Sequence, residues 1–109
     1  MNELALVIED DMDLAIIFSE ALQAARFEVE TARDGQAARQ RLMITQPKVV
    51  ILDLHLPLVD GPSLFEQIRS DPRLKGTIVV VATADARLAE AYHDRADFVL
   101  VKPISFTQL

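Results

Sequence analysis

Four separated points of the chain carry side chains able to act on a small anion: the acidic run Glu9-Asp10-Asp11, then Asp53, Thr83 and Lys102. Each closes a short apolar run, "LALVI" (4–8), "VVIL" (49–52), "IVVVA" (78–82) and "FVLV" (98–101). A carboxylate at the end of a run as apolar as that before Asp53 is costly unless something pairs with it. Lys102 and a cation would supply the pairing. Two or three carboxylate oxygens beside backbone carbonyls and water suit a hard divalent ion. Mg²⁺ fits, because it keeps several waters and takes only one or two carboxylates. With metal and ammonium neutralising the oxygens in transfer, the Asp53 carboxylate is able to act as nucleophile on a phosphoryl group. The Thr83 hydroxyl is then placed to hydrogen-bond a phosphoryl oxygen.

Side chains so far apart in sequence meet only if the intervening elements bring the strand ends together. Short β-branched apolar runs predict strands buried on both faces. "FEVET" (27–31) alternates instead, as a half-buried edge strand does. Between the strands lie helical patterns. Leu14, Ile17, Phe18, Ala21, Leu22 and Ala25 recur at helical steps. Ala37, Ala38 and Leu42 follow Asp34-Gly35, and Leu64, Phe65 and Ile68 follow "DGP", where Pro62 suits a first helical turn. A weaker helix is predicted over 86–94, with His93 as a solvated residue on it. Met12 and Met43 read as packing residues. Alternating strand and helix predicts an α/β fold, a doubly wound five-stranded parallel sheet of flavodoxin-like order 2-1-3-4-5. Ligands of such sheets bind beyond the carboxyl ends of the strands, at the switch point between strands one and three. That rim receives Glu9, Asp10, Asp53, Thr83 and Lys102.

Composition narrows the alternatives. A chain of 109 residues, half of them hydrophobic, predicts one globular domain over 1–109. Without Cys there is no thiol nucleophile, disulfide or thiolate metal site. No apolar run approaches the ~18 residues of a membrane span, and the start "MNELALVIEDD" lacks the marks of a signal peptide. A soluble, cytoplasmic protein is expected. The net charge of −6 argues against direct nucleic-acid binding. Glycine occurs only at 35, 61 and 76, and none of the three forms a phosphate-cradling pattern. A phosphoryl group should therefore arrive from a protein donor. Two histidines without a Ser or Cys motif argue against a triad hydrolase.

The stretches "LVIEDD", "VVILDLHLPLVDG", "VVVATA" and "VLVKP" resemble, in that order, the motifs of the response regulator receiver domains of the CheY-like superfamily. The resemblance covers essentially the whole chain. It implies that Asp53 is the phosphoacceptor. It implies that Glu9 and Asp10 flank a Mg²⁺ whose other protein ligands are Asp53 and the His55 backbone carbonyl. Thr83 is then the switch hydroxyl, Lys102 the phosphoryl-binding ammonium, and Lys102-Pro103 a bond often cis in the family. Asp11 reads as a helix-start residue. Polar side chains at His55 and Asp85 would flank the path by which water removes the phosphoryl group. The implied partners are a sensor histidine kinase or histidine phosphotransfer protein, and an output partner or effector domain. The chain would act as a phosphoacceptor with self-dephosphorylation, not as an enzyme.

Three departures concern the output side. Val99 stands where the family carries a Tyr or Phe, with Phe98 as its neighbour on the opposite face. The Thr83 to Lys102 interval is about three residues short, nearly one helical turn, with Arg95 in place of the usual Gly. The chain reaches Leu109 just as a last helix begins, which predicts a truncated helix and a homodimer through the fourth helix, fifth strand and C-terminal stub. The Val99 departure also supports an alternative, a receiver-like interaction module that works without phosphorylation. An aspartyl phosphatase of the haloacid dehalogenase kind fits less well. It wants a second acid where His55 stands, and a cap insertion.

Overall fold

The computed structural model describes residues 2–104. Along the chain run β1 (Leu4–Ile8), α1 (Met12–Ala24), β2 (Glu28–Ala32), α2 (Gly35–Ile44), β3 (Val49–Asp53), α3 (Gly61–Ser70), a 3₁₀ turn (Pro72–Leu74), β4 (Ile78–Thr83), α4 (Ala86–Tyr92) and β5 (Phe98–Val101). The five strands form one sheet of order β2-β1-β3-β4-β5, and every pairing is parallel. The expected architecture is therefore present. The truncated last helix expected after β5 falls on residues 105–109, which lie outside the described residues.

The unbroken apolar runs have a simple cause. Alternate residues of the inner strands feed two cores. Leu6, Ile8, Val50, Leu52, Val79 and Val81 point to the side where α2 and α3 add Leu42, Leu64, Phe65 and Ile68. Val7, Ile51 and Ala82 point to the other side, against Ala15 and Phe18 of α1. Full burial of a side chain such as Phe18 or Phe65 stabilises by about 1.5–3 kcal/mol. Aspartates start all four α-helices among the described residues. Asp11, Asp34, Asp60 and Asp85 each accept backbone N–H bonds from the first turn, which satisfies donors that would otherwise be orphaned.

Four local expectations change. The edge strand begins at Glu28 instead of Phe27, because the Phe27 amide is used by Leu22 O in the turn that closes α1. Arg26, at φ 72°, makes that turn, so Ala25 falls past the helix and is exposed. Met12 and Met43 do not pack: they are 57 % and 65 % exposed. Met12 opens α1 a turn ahead of the first buried position, Ala15. Met43 lies one residue, about 100° around the helix, beyond buried Leu42. α4 stops at Tyr92, so His93 follows the helix and is exposed.

Candidate functional site

β1, β3, β4 and β5 end on one rim, and the polar residues that follow each strand meet there. Asp53 is the last residue of β3, and its side chain is almost wholly withdrawn from water, at 2 % exposure. Its Oδ1 accepts the His55 N–H at 3.0 Å, while Oδ2 lies 3.4 Å from Lys102 Nζ. Glu9, directly after β1, is 1 % exposed. Its Oε1 is 3.1 Å from Lys102 Nζ, and its Oε2 accepts the Asp11 N–H at 3.2 Å. Lys102 reaches both carboxylates because its own N–H donates to Thr83 O at 2.9 Å, continuing the β4–β5 ladder. The peptide bond that follows, Lys102-Pro103, is cis.

One ammonium therefore stands against two buried carboxylates. Asp10 adds a third at the exposed lip, and one oxygen from each of Glu9, Asp10 and Asp53 lies within 4.8 Å of the others. Burial, and then the Asp53 charge, push the Glu9 carboxyl up from 4.5 to about 7. Burial alone would lower Lys102. The hydrogen bond that Lys102 donates to Glu9 and the charges of Asp53 and Glu9 outweigh it and hold the ammonium above its usual range. The negative excess has a visible consequence. Glu9 Oε1 is fully buried yet has no hydrogen-bond donor in good geometry, despite the nearby Nζ. A hard divalent cation would relieve this excess of carboxylate, and the all-oxygen donor set fits Mg²⁺.

Thr83 is buried at the end of β4, with its Oγ1 accepting the Asp85 N–H at 3.0 Å. The His55 side chain is exposed beside the opening. Asp11 does not join the acidic site. Its Oδ1 caps α1 through Asp13 N and Leu14 N, as a helix-start residue should. Asp85 is likewise committed, capping α4 through Arg87 N at 2.8 Å and Leu88 N at 3.3 Å. Val99 packs against the α2–α3 core, and Phe98 on the other face is 63 % exposed. A residue overlooked at the level of sequence is Gly61. A Cβ there would come within 2.8 Å of Asp53 O and Leu54 C, so the start of α3 rests directly on the backbone leaving β3. The "DGP" stretch carries the signal, a glycine where a helix start must come close to another backbone.

This rim defines the class. The chain matches the response regulator receiver domain family over residues 5–109 and belongs to it. It is a receiver domain of two-component response regulators. Among its relatives, the probable methanogenesis regulatory protein FilR2 of Methanothrix harundinacea (strain 6Ac) is 36 % identical, over 95 % of this chain and 74 % of that protein. The transcriptional regulatory protein PrrA of Mycobacterium leprae (strain TN) is 33 % identical over 95 % of this chain, which spans only 45 % of PrrA. The CheY-like receiver domain from Methylobacillus flagellatus superposes with a TM-score of 0.83 at 28 % identity, over 98 % of this chain and 92 % of that one.

Proposed function

We propose that this domain takes a phosphoryl group from a histidine kinase or histidine phosphotransfer protein onto Asp53, and that the acyl phosphate changes its affinity for an output partner. The observation that carries this reading is the Lys102 ammonium held between two buried carboxylates, 3.1 Å from Glu9 and 3.4 Å from Asp53. Glu9, Asp10, Asp53 and the His55 carbonyl would hold Mg²⁺. A bound Mg²⁺ supplies positive charge to the phosphoryl oxygens. The protein's own groups do the rest. An Asp53 carboxylate oxygen forms the new O–P bond as the P–N bond to the donor imidazole breaks, and the electron pair leaves on that nitrogen. Lys102 stabilises charge on a transferring oxygen. Thr83 Oγ1 accepts the Asp85 N–H and keeps its own hydrogen for a phosphoryl oxygen. His55, exposed at the opening, orients the water that later hydrolyses the acyl phosphate. The domain is thus a stoichiometric phosphoacceptor that dephosphorylates itself. A cytoplasmic place suits a kinase partner, and no helix among the described residues is long and apolar enough to cross a membrane.

Incubation with Mg²⁺ and a small acyl phosphate, followed by intact-mass measurement, tests this. One added phosphoryl group, abolished by a chelator, is expected; an unchanged mass refutes the reading. Val99 favours one other role, a module that binds its partner with or without phosphate. In that case a phosphorylated and an unphosphorylated chain bind the partner equally.

A further inference from the structure

Two of the three glycines sit where no side chain fits, and the second of them, Gly35, touches no proposed site residue. It opens α2 and is buried. A Cβ at Gly35 would run into the Val59 carbonyl oxygen and come within 2.6 Å of Val59 C and 2.7 Å of Val59 Cα. Gly35 N–H also donates to Pro57 O at 3.0 Å. The α2 start therefore meets the loop that leaves β3 at two carbonyls, through a hydrogen bond at Pro57 and close approach at Val59. Leu58 lies between them and records the contact. Its φ is 74°, and Val59 N–H returns to Pro57 O at 3.0 Å, closing a γ-turn of the rare positive-φ kind. A leucine adopts that backbone only where the surroundings dictate it. The side chain gains nothing in return, being largely exposed.

We infer that Gly35 is a positioning residue for the cation site. By holding Pro57 and Val59, it sets the path of the loop that starts at Asp53 and carries the His55 carbonyl. The inference rests on the metal reading of that carbonyl. The chain of contacts is short. His55 N–H is fixed to Asp53 Oδ1, Pro57 follows two residues on, and Gly61 pins the far end against the β3 backbone. A loop held at both ends presents a carbonyl without an ordering cost, which favours binding.

The test measures Mg²⁺ affinity by calorimetry, and thermal stability in chelator, for the wild type, Gly35→Ala, Leu58→Gly, the double variant and Gly76→Ala. Gly76 has open space around it, so its variant serves as the control. Gly35→Ala is expected to weaken Mg²⁺ binding at least five-fold and to melt earlier. In the double variant, Leu58→Gly frees the loop to yield to the new Cβ. It should recover stability yet leave Mg²⁺ binding at least five-fold weak, because the loop now takes another path. A purely structural glycine would instead recover both together. Wild-type binding with Mg²⁺ affinity within two-fold of it in both Gly35 variants overturns the inference alone. A wild type that binds no Mg²⁺ overturns the metal reading and the inference with it. Should Gly35→Ala prevent folding in both backgrounds, amide exchange in the wild type decides. Mg²⁺ should slow exchange of the Gly35 amide more than that of Ala38 in the same helix, since coupling between sites is reciprocal. Equal slowing at both refutes the link.

Discussion

Replacing Asp53 by Asn should stabilise the metal-free protein while removing its response to Mg²⁺. Glu9, Asp10 and Asp53 crowd one rim with a single ammonium between the two that are buried. Glu9 is pushed from 4.5 to about 7, which corresponds to about 3 kcal/mol of disfavoured ionisation at alkaline pH. Burial takes the larger share and the Asp53 charge the next, so removing that charge returns about 1 kcal/mol, or roughly 4–8 °C in melting temperature. The asparagine keeps an oxygen for the His55 N–H, so no bond is lost there. The pH dependence follows from the sign. Glu9 binds its proton more tightly folded than unfolded, so its penalty is fully present above about pH 7. It fades as pH falls through that value toward 4.5. Metal-free wild type should therefore gain stability between about pH 8 and 5, and Asp53→Asn should show a flatter profile. Millimolar Mg²⁺ should raise the melting temperature of the wild type by linkage and leave that of the variant nearly unchanged. Thermal melts in chelator and in Mg²⁺, across that pH range, measure all of this. A variant that melts below the wild type in chelator, with no Mg²⁺ response in either protein, would refute the reasoning.

Asp97 Oδ2 accepts the Val79 N–H at 2.8 Å and Arg69 at 3.0 Å, and the Val79 bond foremost holds its carboxyl below the usual range. Asp97→Ala should cost about 1 kcal/mol in urea melts at neutral pH, mostly through the Val79 bond, because the half-exposed ion pair is screened. That cost should shrink in acid, as the wild type loses the bond below the ordinary carboxylate range. Tyr92 is buried edge-on against Phe65 at 5.0 Å, with Arg95 over its ring. Tyr92→Ala should lose about 3–5 kcal/mol by denaturant titration; a loss below about 1 kcal/mol would mean that the end of α4 is not packed as described. His55→Leu should slow loss of the phosphoryl group in a time course without changing stability. Asp85→Ala should cost about 1 kcal/mol as a lost helix cap, and unchanged decay in His55→Leu would take that side chain out of the hydrolysis path.

The strands were legible because a parallel sheet covered on both faces takes apolar residues at successive positions, and Val49 to Leu52 and Ile78 to Ala82 are short and rich in β-branched residues, as such strands are. The rim was legible for a related reason. Parallel strands put all their carboxyl ends on one edge, so Glu9, Asp53, Thr83 and Lys102 had to converge whatever the helices did. Local competition for backbone bonds was harder to read. Phe27 looked like a strand residue until the turn after Ala24 claimed its amide. Met43 shares a helix with Leu42, and only the direction of the sheet shows which of the two is inside. Asp85 reads as a polar group beside the site, and its Oδ1 has a further role as the cap of α4, accepting Arg87 N–H and Leu88 N–H. The role of Gly35 was hidden because its obstacle, the Val59 carbonyl, lies on a different loop.

The claim that Asp53 accepts the phosphoryl group is tested most directly by locating it. The protein is incubated with Mg²⁺ and a phosphorylated histidine phosphotransfer donor, reduced with borohydride to trap the acyl phosphate, digested, and sequenced by mass spectrometry. The reduced residue should be Asp53, and Asp53→Asn should take up no phosphoryl group. A trapped residue elsewhere on the rim, or full uptake by Asp53→Asn, would contradict the account.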